Sequence, residues 1–305
     1  GTSIGLALAA LGTETDGSIL SPSSANNLVG IKPTVGLTSR SLVIPISEHQ
    51  DTVGPMARTV SDAAYILSII AGKDAYDNYT SAQPFDAPPD YTQSLNFSSF
   101  RGARIGIPRN AITPSNTSQP IIDAFEAAIQ VMKNAGAILV DNANFTAWDE
   151  YVADSSASLG DESIVLEADF ISNLANYLHQ LTSNPNDIYS LADESNFTHS
   201  FKLEDYPARD TAVWDQALSL GYNNSDYRFW QAYQRTSYFG EEGGVLGALA
   251  TYDLDALILP TDFSPGVPAL AGLPVVTVPM GYYPSNSTVV TSPPWGLVRV
   301  GPNLP

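Results

Sequence analysis

Cysteine is absent from the 305 residues, which excludes disulfide staples and thiolate chemistry. Cations are scarce: Lys and Arg number 13 against 32 Asp and Glu, for a formal net charge of −19. A surface this acidic repels phosphate backbones and anionic lipid, so nucleic acid is not expected as a partner. No run approaches the roughly 18 consecutive apolar residues of a membrane span. No phosphate loop or dinucleotide fingerprint is present. Of the three histidines, His179 and His199 stand at no ligand spacing, and His49, two residues from Asp51 in a polar stretch, reads as a surface histidine. The carboxylates Asp161, Glu162, Glu167 and Asp169 crowd one helix and read as a solvated face rather than a metal site. Neither a metal nor a cofactor is expected.

Lack of cysteine alone suits a reducing compartment, but the Asn-X-Ser/Thr triplets point the other way. They occur at Asn78, Asn96, Asn116, Asn144, Asn196, Asn223 and Asn286, and imply a glycosylated protein of the secretory pathway, or a secreted one. The competing reading is chance, since Ser, Thr and Asn are plentiful. No signal peptide reads at the start, because the apolar stretch Ile4 to Leu11 has no basic residue before it.

With 44% hydrophobic residues the chain can bury one large α/β domain or two modest ones. Thr2 to Leu11, rich in Ala and Leu, reads as a buried helix. Ser21-Pro22 looks like a helix start, serine as N-cap and proline as first helical residue. Val29 to Ile31 and Leu42 to Ile46 read as short strands. Thr59 to Ala71 has an apolar face of Ala63, Ala64, Ile66, Leu67 and Ile70 and is an amphipathic helix. Arg104 to Pro108, Pro120 to Ala135 and Ala137 to Val140 read as strand, helix, strand, which implies a parallel pair. Asp161 to Leu181 is a long helix, and Asn184 to Asp210 reads as loop. Phe229 to Tyr252 reads as mostly helical, with Trp230, Tyr233 and Tyr238 as a core stripe. Leu254 to Leu259 and Val275 to Val278 read as strands, and the Pro- and Ser-rich tail from Tyr282 as lacking a terminal helix.

The most informative segment is Gly12-Thr13-Glu14-Thr15-Asp16-Gly17-Ser18-Ile19. Turns at Gly12 and Gly17 can present Ser18 at a loop tip, and Gly17 lets backbone amides approach a substrate with no Cβ in the way. Amides converging on a serine oxygen are what an acyl-transfer enzyme needs to hold a developing oxyanion.

This run resembles the amidase signature family, together with Gly30-Ile31-Lys32-Pro33-Thr34 and Asp51-Thr52-Val53-Gly54-Pro55-Met56-Ala57-Arg58-Thr59-Val60. Leu254 to Thr261 and Ala271 to Gly281 add two further blocks in the family's order. The resemblance implies a single, partial amidase domain over residues 1–305, with an α/β fold whose mixed central sheet is covered by helices on both faces and is truncated at both ends. It implies hydrolysis of a small-molecule amide at its carbon–nitrogen bond by a Ser–cis-Ser–Lys triad. Ser18 matches the nucleophile, and the amides of Thr15, Asp16, Gly17 and Ser18 match the oxyanion loop. The bridging serine and the lysine belong N-terminal to this run, so the chain alone is expected to be nearly inactive. Lys32 matches a non-catalytic position. Asp16 stands where glycine is commonest, so its side chain must point away from the oxyanion, and Leu20 stands where arginine is commonest. Two rival readings are a non-catalytic glycoprotein retaining the fold and a relative of the glutamine amidotransferase subunit. Net charge and the sequons speak against the second.

Overall fold

The computed structural model describes residues 1–96, 98–112, 118–292 and 296–305. The candidate sequon residue Asn116 lies outside them.

The first strand, β1 (Ala9–Glu14), is followed by helix α1 (Leu20–Ala25), strands β2 (Val29–Lys32) and β3 (Thr52–Ala57), and helix α2 (Val60–Ile70). The expected helix from Thr2 to Leu11 does not form. Gly5 takes φ +79°, outside helical space, and Ala9 to Glu14 instead pair antiparallel with β3, Ala9 opposite Ala57 and Glu14 opposite Thr52. Nor is the stretch buried: Ile4, Leu6, Leu8 and Leu11 are exposed. The second expected strand, Leu42 to Ile46, is also absent. Leu42 sits at φ +58° and turns the chain, leaving Leu42, Ile44 and Ile46 on the surface.

Helix α1 begins one residue before Ser21, so serine is not its cap. It lies close over β2, because a Cβ at Gly30 would come within 2.3 Å of Ser23 Oγ. Helix α2 starts where its sequence says, with Thr59 Oγ1 accepting from the Asp62 N–H. Its buried residues Ala63 and Leu67 pack on Val29, Ile31 and Ala57 of the sheet.

Next come β4 (Arg104–Ile107), α3 (Gln119–Asn134), β5 (Ile138–Asp141), α4 (Trp148–Ser155) and α5 (Asp161–His179). The β4–α3–β5 unit is parallel, as the sequence implies, with Ile105 opposite Leu139. Phe125 of α3 fills the space over Ile107 and Ile112. Helices α6 (Leu191–Ser200) and α7 (Ala212–Ser219) come next. The first corrects the loop reading of 184–210: Ser190 caps it by accepting the Asp193 N–H, and Leu191 packs on Leu174 and Leu178 of α5.

Helix α8 (Tyr227–Gly240) is separated from α9 (Val245–Tyr252) by a break at 241–244. Its buried line is Phe229, Ala232, Thr236 and Phe239, whereas Trp230 and Tyr238 are exposed. The chain ends with β6 (Ala256–Leu257), α10 (Gly266–Leu270), β7 (Val275–Thr277) and the hairpin β8 (Val290–Ser292) and β9 (Leu297–Val300). That hairpin lies in the tail.

The architecture is α/β, with antiparallel and parallel strands flanked by numerous helices. The strand directions separate: β1-β3-β2-β7 is antiparallel and β5-β4-β6 is parallel. Helix α5 contributes both to the surroundings of the serine loop, through Glu162, and to the cluster around His49, through Asp169. It is not the solvated acidic face expected of it, for Glu167 and Asp169 are buried among Val165, Ala168 and Leu174.

Candidate active site

Strand β1 delivers Thr15 to Ser18 into an open loop, and α1 carries the chain away from it. Ser18 is exposed, while its neighbours Gly17, Ile19 and Leu20 are buried. Gly17 takes φ +151°, a conformation that L side chains rarely adopt, and a Cβ there would press on Ser21 Oγ at 3.2 Å and Pro265 at 3.4 Å. The serine is thus held out on a bend that only glycine makes without strain. Among the described residues, no backbone or side-chain acceptor takes the N–H of Gly17 or Ser18. Burial raises the Asp16 carboxyl, opposed by its own backbone N–H.

What fixes the bend is Glu14. Its Oε2 accepts from the N–H groups of Ile19 and Leu20, at 2.8 and 2.9 Å, which are the first amides after Ser18. A carboxylate thereby replaces the serine cap expected of α1, and its charge faces the positive end of the helix. Glu14 is 1% exposed, and burial pushes its pKa up, opposed by those amides and by Lys32. Lys32 on β2 is fully buried. Burial pulls its pKa down to about 8, and its Nζ donates to the Leu273 carbonyl at 2.8 Å. The two buried charges attract each other behind the loop, although no hydrogen bond or ion pair joins them among the described residues, and Glu14 Oε1 is buried without a partner. No hydrogen bond joins either to Ser18 among the described residues.

A second acidic group stands beside the loop. Glu162, at the start of α5, accepts from Gln50 Nε2 at 3.2 Å. Burial, then the charges of Asp16 and Asp154, push its pKa up to about 7. Burial raises Asp16 as well, and raises Tyr151, whose hydroxyl lies where a Cβ on Gly266 would sit 2.7 Å away. Asp161 next door rises to about 6 through burial and Asp154, although Arg235 pairs with it at 2.8 Å.

The chain from Arg40 to Asp51 completes the region. Asp51 accepts from Thr15 Oγ1 at 2.6 Å and from the N–H groups of Ile46 and Ser47, tying this segment to the root of the serine loop. Arg40 forks onto Asp77 and lies 4.4 Å over the Tyr79 ring. The histidine expected on the surface is packed inside: His49 lies among Phe229, Trp230, Tyr233 and Tyr79, and its Nδ1 meets Asp169 Oδ2 at 2.7 Å. Ser47 donates to the same oxygen at 2.6 Å and Asn224 to the other at 2.9 Å. Glu48, His49 and Asp169 bring ligand-type atoms within 4.8 Å of one another. Asp169 already accepts three hydrogen bonds, so this cluster reads as a structural clamp.

The sequence reading missed Glu14 as a cap, and missed Asp51, Glu162 and Asp169. Glu14 carried a local signal, a carboxylate five residues before the first amide of a helix, and Asp51 has local partners in the Ile46 and Ser47 N–H groups. Asp51 meets Thr15 across 36 residues, and Glu162 and Asp169 meet their partners from 55 to 122 residues away.

The amidase family model matches residues 2–299. This chain belongs to the amidase-signature family. Over 302 residues it is 52% identical to a protein of Arthroderma benhamiae named "Putative amidase", covering 99% of this chain and 50% of that one. The peptide amidase of Stenotrophomonas maltophilia superposes with a TM-score of 0.81 at 33% identity, over 92% of this chain and 57% of the other. A glutamyl-tRNA(Gln) amidotransferase chain of Acinetobacter baumannii is 31% identical over 93% of this chain and 58% of its own length. The chain spans about half the length of the curated relatives it matches.

Proposed function

We propose that the protein carrying this chain hydrolyses the carbon–nitrogen bond of a carboxamide, with Ser18 as nucleophile. The observation that supports this most directly is the exposed serine on the Gly17 bend, with the Gly17 and Ser18 amides unengaged and Glu14 bracing the helix behind it. Ser18 Oγ attacks the amide carbonyl carbon. Backbone amides from Thr15 to Ser18 receive the oxygen as it gains charge. The C–N bond then breaks as the nitrogen takes a proton, ammonia or an amine departs, and water releases the acyl group from Ser18. A serine hydroxyl needs a positioned base, and the family resemblance assigns that to a bridging serine and a lysine N-terminal to Gly12. Lys32 is a poor substitute, because its Nζ is committed to carbonyl oxygens.

Asp16 imposes a condition on this chemistry. For its N–H to serve the oxyanion, its carboxylate must point away from the oxygen that gains charge. Labelling of the whole protein that carries this chain by a fluorophosphonate, read by intact mass, tests the assignment. Stoichiometric adduct on Ser18, lost in Ser18→Ala, is the expected result; an adduct elsewhere, or amide turnover that survives Ser18→Ala, refutes it.

The acidic surface and the sequons support a secretory route, with glycans on Asn78, Asn96, Asn196 and Asn286, all exposed, and on Asn116. Asn144 and Asn223 are half-buried and hydrogen-bonded locally, Asn144 Oδ1 to the Asn110 N–H and Asn223 Oδ1 to Ser225. Sugar on those two requires their side chains to rotate outward. Glycosidase treatment of the natively produced protein should lower its mass, and an unchanged mass refutes the route. The 31%-identical amidotransferase chain keeps a second reading open, to which the net charge of −19 is opposed.

A further inference from the structure

The β1–β3 ladder stops at Glu14 opposite Thr52, and the next residues on the two strands are Thr15 and Asp51. Where backbone pairing ends, their side chains take it over: Thr15 Oγ1 donates to Asp51 Oδ1 at 2.6 Å. Thr15 is buried, which shields this bond from water. Beyond Ser18, Glu14 Oε2 holds the N–H groups of Ile19 and Leu20. Residues 15–18 are thus slung between two carboxylates, one at each end. Between them the N–H groups of Gly17 and Ser18 meet no acceptor among the described residues, and Gly17 has the backbone freedom of a residue without Cβ. Amides left free for a substrate cannot fix their own direction, so that direction has to come from outside the loop.

Asp51 is itself held firmly. Its Oδ2 accepts from the N–H groups of Ile46 and Ser47 at 2.7 and 3.0 Å, and its own N–H donates to the Ser47 carbonyl at 2.9 Å. Ser47 Oγ in turn donates at 2.6 Å to Asp169 Oδ2 on α5, a residue with no exposed surface. A continuous series of hydrogen bonds therefore runs from the interior of α5 through Ser47 and Asp51 to Thr15. The Glu14 end is fixed by α1, and the Gly17 carbonyl belongs to that end, accepting from the Ser21 N–H at 2.8 Å.

Resting on the amidase reading above, we propose that Asp51 is a positioning residue of the reaction: its bond to Thr15 aims the Gly17 and Ser18 amides at the oxygen that gains charge. Asp51 acts through Thr15, whose hydroxyl anchors the start of the loop and so the peptide plane that leads into Asp16. The ground-state carbonyl oxygen carries little charge and gains little from well-aimed amides, whereas the oxyanion depends on them. Releasing Thr15 from Asp51 therefore slows turnover and leaves substrate binding nearly intact.

Thr15→Val, made in the whole protein that carries this chain, removes the hydroxyl and keeps the shape. On whichever of acetamide, benzamide and phenylalaninamide the unmutated protein hydrolyses fastest, it should lower kcat about ten- to a hundredfold and leave KM within about threefold. Thr15→Ser keeps the hydroxyl and should restore most of that rate. Asp51→Ala should lose at least as much as Thr15→Val, and the double variant no more than Asp51→Ala alone. An unchanged kcat in Thr15→Val, a loss confined to KM, an equal loss in Thr15→Ser, or losses that multiply in the double variant overturns the proposal. Should Asp51→Ala fail to fold, the comparison of valine with serine at position 15 decides. Crystal structures read the same claim without turnover: the backbone of residues 15–18 should turn in Thr15→Val, and an unmoved loop overturns the proposal. Turnover indifferent to Thr15→Val removes the positioning role and keeps the hydrolase. A loop that turns in a protein hydrolysing none of the three amides keeps the hold of Asp51 on the loop and removes the hydrolase.

Discussion

Glu14 concentrates several demands on one side chain. It caps α1, faces the buried Lys32, and stands immediately behind the bend that presents Ser18. Hydrogen bonds to a charged group contribute about 1.5 to 3 kcal/mol each. Glu14→Ala removes two such bonds, orphans two buried amides and leaves Lys32 without its counter-charge. It should cost about 3 kcal/mol or more, read as a lower urea midpoint. Adding Lys32→Met should recover part of that loss, a coupling that a double-mutant cycle measures. Glu162 is the residue whose titration the fold exposes most plainly. Its carboxyl has an ordinary value of 4.5 and is pushed up to about 7 by burial. Between these values the folded protein keeps a proton that the unfolded chain has released, so this group makes stability fall as pH rises from about 4.5 to 7. Above pH 7 the full cost is present. Glu162→Gln removes it, and thermal unfolding at pH 8 should show a gain of about 1 to 2 kcal/mol that vanishes at pH 4.5, after discounting for water reaching the half-buried carboxyl. A gain of equal size at both pH values would mean that packing, not charge, is responsible.

Elements divide by where their information lies. Helices α2, α3 and α5 are legible because their apolar period and their ends are local: Thr59 caps α2, and Gly136 follows α3 at φ +99°. Residues 2–11 mislead because Ala and Leu favour helix, while the strand of Ala9–Glu14 is decided by pairing with β3 some forty residues on. The site is half legible for the same reason. Ser18, Gly17 and Glu14 lie in one run, but the clamp that seats the segment after Arg40 uses Ser47, His49, Asp169 and Asn224 from three distant segments. Nothing in a one-dimensional reading separates Asp169 from a solvated carboxylate. That clamp is itself testable. Asp169→Ala leaves the Ser47 hydroxyl, the His49 ring and the Asn224 amide without their shared acceptor inside an apolar cluster, which should cost about 3 kcal/mol. The segment 40–51 should then open first, becoming the preferred site of limited proteolysis while α2 and α3 stay protected. Unaltered cleavage there would show that Asp51 and the Arg40–Asp77 pair suffice to hold the segment.

At the scale of the whole molecule, two features pull against each other. The net charge is −19, and apolar side chains are exposed in groups: Ile4, Leu6, Leu8 and Leu11 before and along β1, and Val276, Val278 and Met280 in and beyond β7. Both strands are edges of the antiparallel sheet, so each offers unpaired backbone groups beside apolar surface. Such faces invite association, and mutual repulsion of the carboxylates opposes it. The balance depends on pH and salt in a way that hydrophobic contact alone does not. Near the sequence pI of about 4.2 the repulsion vanishes and the edges are free to meet. At pH 7.5 repulsion is restored, and raising ionic strength shortens its reach to about 3 Å at 1 M. Light scattering should therefore report association at pH 4.2, dispersal at pH 7.5 in low salt, and renewed association at pH 7.5 in 1 M sodium chloride. Replacing Leu6 and Leu8 by Glu should suppress the high-salt association, because it puts charge on the apolar approach to β1 itself. Association that ignores both pH and these two substitutions would assign it to some other surface.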